Sequence, residues 1–251
     1  MSILESVGRG TIERVEYVGG LTIQFARGIA VSWRANPITG SRQRWQATVR
    51  HMAVVGVYAV PVVCLIAGAT GLIMAMTGGA ELRRFGAMQF VVNLVAVSIT
   101  RELGPLITAI VVVGRSGSAF SAEIGTMVVT EEVDALRSMA LDPIEFLLVP
   151  KHLAMMVMMP CLTIMANASG ILAGGIFVYF ALDMNLRLYL NTVLEVLVLR
   201  DIVSGLIKSV AFATIIVQVG CYEGFHVSGG PEGVGRATTS AVVTSIFLVV
   251  L

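Results

Sequence analysis

Two kinds of pattern alternate along the chain. Over residues 3 to 33, Leu4, Val7, Thr11, Val15, Val18, Thr22, Phe25, Ile29 and Trp33 recur at steps of three and four, which lines one face of a helix. Glu5, Arg9, Glu13, Arg14 and Glu16 take the other faces. The pattern predicts an interfacial amphipathic helix over 3–34 lying in the headgroup plane, with Trp33, Arg27 and Arg34 suited to that zone. Packing against a soluble partner is the alternative. Asn36-Pro37 and Gly40-Ser41 end the helix.

From residue 51 the apolar positions run in long blocks. Spans are predicted over 51–77, 88–113, 152–182, 202–222 and 237–251, since about 20 apolar residues cross a hydrocarbon core. Pro61 predicts a kink in the first, and Gly56, Gly68, Gly71 and the Gly170-x-x-x-Gly174 spacing allow close helix approach. The last block is short: at 1.5 Å per residue it reaches roughly 22 Å against a core of about 30 Å. The last span is therefore expected to be incomplete and the natural chain to run on past Leu251. The segment 183–201 is mixed, with apolar positions at helical spacing, and 229–235 reads as a flexible Gly-rich loop. The expected class is an all-α integral membrane protein, one domain over 1–251, with an interfacial helix and about five transmembrane helices.

Composition agrees. The 251 residues are 56% hydrophobic and 13% charged, with a mean hydropathy of +0.87, where soluble domains average about 25% charged. A net charge of +1 gives no excess basicity that would argue for nucleic acid. Cys64, Cys161 and Cys221 sit apart inside apolar runs, without metal spacing. The N-terminus lacks the basic and apolar regions of a signal peptide. Lys and Arg concentrate in segments that place the N-terminus and the 114–151 connection on the cytoplasmic side.

The polar residues exclude more chemistry than they offer. His51, His152 and His226 have no HExxH or ligand-type neighbours, and Gly114-Arg-Ser-Gly-Ser118 lacks the last glycine of a nucleophile elbow. A P-loop requires Gly-Lys-Ser/Thr, but Lys151 follows Pro150 and Lys208 follows Ile207. No catalytic or metal site is expected, and any ATPase belongs to another chain. Arg101-Glu102 lies midway along the second block, where a charge costs about 3 kcal/mol and must face protein or a wet cavity. Lys208 is a candidate partner for Glu102. A structural ion pair and a polar site on a substrate pathway both fit these residues.

The connection 114–150 holds the other signal. Thr130 is expected to cap a short helix with Glu131 and Glu132 in its first turn, and Val133, Leu136 and Met139 share a face. Asp142-Pro143-Ile-Glu145 reads as a fresh cap. An apolar face on a short acidic helix between spans suits docking to another protein.

Arg101-Glu-Leu-Gly-Pro105, Gly114-Arg-Ser-Gly-Ser-Ala119, Ala122-Glu-Ile-Gly-Thr-Met127, Glu132-Val-Asp-Ala-Leu136, Leu141-Asp-Pro143, Ile207-Lys-Ser209 and Arg236-Ala-Thr-Thr239 together resemble the MlaE/YrbE family of ABC-transporter permeases from about residue 50 onward. The resemblance implies a homodimeric permease of the bacterial inner membrane that moves lipid, typically phospholipid, between inner and outer membranes. It also implies an ABC ATPase dimer carrying the ATP and magnesium, an MCE-domain periplasmic substrate-binding protein, and often a STAS-domain protein. Carried over by position, the coupling helix would be about 130–139, comprising Thr130, Glu131, Glu132, Val133, Asp134, Leu136 and Met139, with Glu123 and Gly125 leading into it. Arg101, Glu102 and Lys208 fall where the family places charges within its spans. Two rival functions stand beside this: a proton-coupled secondary transporter using Glu102, and a non-transporting membrane scaffold.

Overall fold

The computed structural model describes residues 3–34, 42–87, 90–182 and 185–251. The expected breaks at Asn36-Pro37 and Gly40-Ser41 and the start of the second block at Met88 lie outside them, as do the side chains of Leu4, Val7, Thr11 and Trp33. The described residues are helical, without a strand. The helices are α1 (Ile3–Arg34), α2 (Arg42–Val55), α3 (Val60–Arg84), α4 (Val91–Ser98), α5 (Gly104–Val112), α6 (Ser118–Val129), α7 (Glu132–Ser138), α8 (Val149–Leu182), α9 (Leu186–Val196), α10 (Leu199–Phe225) and α11 (Gly230–Val250). Among the described residues, five helical bodies are long and apolar enough to cross a membrane: Trp45–Arg84, Val91–Val129, Ile144–Ala181, Leu199–Phe225 and Gly230–Val250.

The bodies depart from the expected blocks for physical reasons. In the first, Pro61 opens α3 instead of kinking a continuous helix: Gly56 and a 3₁₀ turn at Val57–Ala59 take the break, and a proline near the first helical position removes no needed donor. The second does not end at 113. It runs on through π-helical turns at Ile99–Leu103 and Val113–Gly117 into α6. Ser116, Gly117, Ser121 and Gly125, read as part of the connection after the second span, are buried against α10 and α11, where small side chains permit close packing. At 39 residues this body is roughly 58 Å long, nearly twice a hydrocarbon core. The third begins at Ile144, so Lys151 and His152 are inside it.

The Gly-rich loop is mostly helix. Gly229 (φ 87°) and Gly230 (φ 70°) take the left-handed backbone that turns the chain, and Pro231 then starts α11. Counted from Gly230, α11 has 21 residues, roughly 31 Å, so the shortfall in length expected for the last span came from starting it at Ala237.

The centre of the bundle is α3 against α8, drawn together at Gly71 and Gly170: a Cβ on Gly71 would lie 2.0 Å from the Gly170 carbonyl oxygen. Nearby, Ser169 Oγ donates to the Cys64 carbonyl at 2.6 Å. The larger core joins α2, α3, α5, α6, α8 and α10 through Val63, Val112, Phe120, Ile124, Met155 and Ile216. A second core, toward the Val91 end, packs α4 and α8 against α9. Asn185 caps α9 by accepting from Arg187 N–H at 3.0 Å. Tyr189 is buried on it and donates to the Ile171 carbonyl at 2.8 Å, and burial pushes its hydroxyl up to about 12.

Helix α1 is not among the five spanning bodies. Over 15–31, where its side chains are described, the predicted stripe is exposed at Val15, Val18 and Thr22 and half-buried at Phe25 and Ile29. The docked line is Tyr17, Gly20, Gln24 and Gly28. Cβ atoms on Gly20 and Gly28 would meet Tyr222 and Gln218 of α10, and Gln24 Nε2 donates to the Gln218 carbonyl at 3.4 Å. Tyr17 Oη donates to Glu223 Oε1 at 2.5 Å, and Ser240 Oγ donates to the same oxygen at 2.9 Å. Burial and that carboxylate both push the Tyr17 hydroxyl well above its ordinary range. A small and polar seam thus holds α1 while Val15, Val18 and Thr22 stay outside.

Candidate functional site

The sequence-predicted residues form two separate groups. The first lies in the π-turn of the second body. Arg101 is ten residues past Val91, roughly 15 Å along a body of roughly 58 Å. Lys208 Nζ of α10 donates to Glu102 Oε2, and Arg101 Nε stands 3.7 Å from Glu102 Oε1. Glu102 therefore joins two cations, and the node keeps one net positive charge. The side chains are 55%, 56% and 36% exposed for Arg101, Glu102 and Lys208, which puts the node on an outer face of the bundle. Acyl chains cannot solvate it, so a wet cavity or another protein surface must. Behind the node the packing is tight: a Cβ on Gly205 would lie 2.3 Å from the Thr100 carbonyl, and one on Gly104 would lie 1.7 Å from Asn167 Oδ1.

The second group surrounds α7. Thr130 does not cap α7; it ends α6, its hydroxyl donating to the Thr126 carbonyl at 3.0 Å. The turn into α7 is made by Glu131 in the left-handed region (φ 61°). Asp142 caps as expected, accepting from Ile144 N–H at 2.9 Å. The apolar face expected for docking is turned inward: Val133 and Leu136 are buried with Leu147 and packed by Met127, Val128 and Phe225. Each such side chain contributes about 1.5–3 kcal/mol of burial, so α7 is fastened to the ends of α6 and α10 and to the turn Ile144–Leu148 that leads into α8. What remains outside is an acidic strip, Glu131, Glu132 and Asp134, beside Met139 at 61% exposed, with Leu141 and Phe146 also exposed. Gly125 faces inward too: a Cβ there would meet Val227 at 2.7 Å.

Some residues stand out only in three dimensions. Lys151 is 1% exposed, and its Nζ donates to Glu123 Oε1 at 3.0 Å while lying 5.7 Å from the Phe120 ring centre. Its place just after Pro150 at the head of a long apolar block was the available signal. Arg115 Nη1 donates to the Tyr58 carbonyl, one of the groups released where α2 breaks from α3. Glu223, His226, Ser228, Arg236 and Ser240 line a cavity of ≈ 230 Å³ at the α10–α11 turn. No group of three or more metal-ligating side chains occurs among the described residues.

Comparison with known proteins identifies the family. The family described as Permease MlaE matches residues 48–251. A probable ABC transporter permease protein of Rickettsia bellii is 36% identical over 251 residues, covering 100% of this chain and 95% of the relative. A probable ABC transporter permease protein of Synechocystis is 39% identical over 203 residues, 80% of this chain and 77% of the relative. The chloroplastic protein TRIGALACTOSYLDIACYLGLYCEROL 1 of Arabidopsis thaliana is 35% identical over 202 residues, 80% of this chain and 58% of that protein. Five spanning helices, a short helix fastened between the second and third, and these matches lead to one conclusion: the chain belongs to the MlaE permease family, as a multi-pass membrane subunit of the ABC-transporter permease kind.

Proposed function

We propose that this permease moves lipid, phospholipid in the first instance, between the inner and outer membranes of a bacterium, driven by a separate ATPase dimer that holds the ATP and magnesium. Two copies of the chain form the transporter, with the N-terminus and α7 on the cytoplasmic side. An MCE-domain protein receives or delivers lipid on the periplasmic side, and a STAS-domain protein accompanies the ATPase. The concentration of Lys and Arg in the N-terminal segment and in 114–151 supports that orientation. A relative with a glycerolipid in its printed name supports the cargo class.

The observation that carries the reading is the Arg101–Glu102–Lys208 node. It is a net cation exposed on an outer face of a spanning body, which suits a cavity where a lipid phosphate passes at the junction of two copies. The acidic, Met139-tipped outer face of α7 is the attachment point for the ATPase.

The test is reconstitution with the ATPase in vesicles containing a fluorescent phospholipid. Lipid movement is expected to require ATP and magnesium. Glu102→Ala is expected to slow it roughly tenfold with assembly intact, the effect of one charge-assisted contact of about 1.5 kcal/mol. Movement driven by a proton gradient without nucleotide would replace this reading with the proton-coupled one. Wild-type rates in Glu102→Ala would make the node structural.

A further inference from the structure

The chain leaves the second body through α6, makes the α7 excursion and returns through the π-turn Ile144–Leu148 into α8. Helix α10 packs against both limbs of this stirrup, α6 and α8. Near α7 they are joined by Val133 and Leu136, which touch Met127 and Val128 on one side and Leu147 on the other. Farther up they are joined again by the ion pair of Glu123 on α6 with Lys151 on α8.

This second joint is unlike the exposed ion pairs elsewhere in the molecule, such as Arg137–Asp134 and Arg84–Glu81. The ammonium is enclosed, with an aromatic face beside it and a single carboxylate to neutralise it. A buried cation cannot leave its partner without losing the interaction that compensates its desolvation. When one limb moves, the other must follow. Glu123 is half exposed, so its limb can shift while the bridge holds.

We infer that the Glu123–Lys151 bridge is a positioning pair that makes α6 and α8 move as one unit, so that displacement of α7 reaches the third spanning helix. It rests on the reading of α7 as the ATPase attachment point. Glu123 thereby acts from inside the permease and not as a docking residue.

The test removes the bridge without leaving a buried charge. Glu123→Gln/Lys151→Met replaces the pair with neutral groups of similar length, an exchange that leaves stability nearly unchanged or raises it. Permease and its ATPase are purified together, reconstituted with a fluorescent phospholipid, and scored for co-purification, ATP hydrolysis and lipid moved per ATP hydrolysed. The double variant is expected to assemble and hydrolyse ATP, while lipid moved per ATP falls about 2- to 30-fold, the span over which residues between two sites modulate coupling. Lys151→Arg, which keeps a cation on Glu123, is expected to keep the wild-type ratio. A wild-type ratio in the double variant would overturn the inference, as would equal losses in Lys151→Arg and the double variant. Failure of the wild-type permease to hold an ATPase would instead overturn the attachment reading.

Discussion

Ala140 takes a left-handed conformation (φ 57°) where helices usually place glycine. Its N–H bonds the Arg137 carbonyl at 3.0 Å and the next, Leu141 N–H, bonds the Leu136 carbonyl at 3.0 Å, the paired bonds that close a helix C-terminus. A Cβ in this region costs about 1–2 kcal/mol, partly offset because glycine loses more entropy on folding. Ala140→Gly is therefore expected to stabilise α7 by about 0.5–1 kcal/mol, read as roughly two- to fivefold slower amide exchange across 132–141. Unchanged or faster exchange would show that the strain is relieved elsewhere. At this scale the sequence was legible where chemistry is local, as in the Asp142-Pro143 cap, and where a charge inside an apolar block demands a counter-ion, as in Glu102 with Lys208. It was not legible for Lys151, whose burial depends on helices that meet only in the fold.

Periodicity placed an apolar face on α7 and could not say what it faced. Length decides: a seven-residue helix has too few hydrogen bonds to stand alone, so it must bury that face against its own protein. The substitution that separates the permease from its ATPase is therefore expected at Met139, not Leu136. Met139→Asp should leave the fold intact and reduce co-purification of the ATPase. Leu136→Asp replaces a buried side chain with a carboxylate, costing at least about 3 kcal/mol, and should lower the thermal midpoint in detergent. Equal melting of the two variants would contradict the inward packing. The same ambiguity governed α6, where polar and small residues read as a connection are the surface that lets α10 and α11 approach. In α1 it ran the other way: Val15 and Val18 of the apolar stripe face outward and Tyr17, Gly20 and Gln24 face the protein.

For the whole molecule, one copy leaves three charged side chains on the outside of a spanning body, an arrangement lipid cannot solvate. A second copy covering that face is the expected resolution, and native mass spectrometry of the complex should find two permease chains for two ATPase chains. A single permease chain per complex would remove the dimer and require another cover for the node. The sequence by itself determined the solvent, the helical class, the number of spans and the family, because a bilayer selects apolar length and the motifs are local strings. Only the tertiary structure decided where the second span ends, which face of α7 is available, and that Lys151 holds Glu123. Those outcomes depend on which neighbours cover a residue, and sequence periodicity specifies a face without specifying what lies against it.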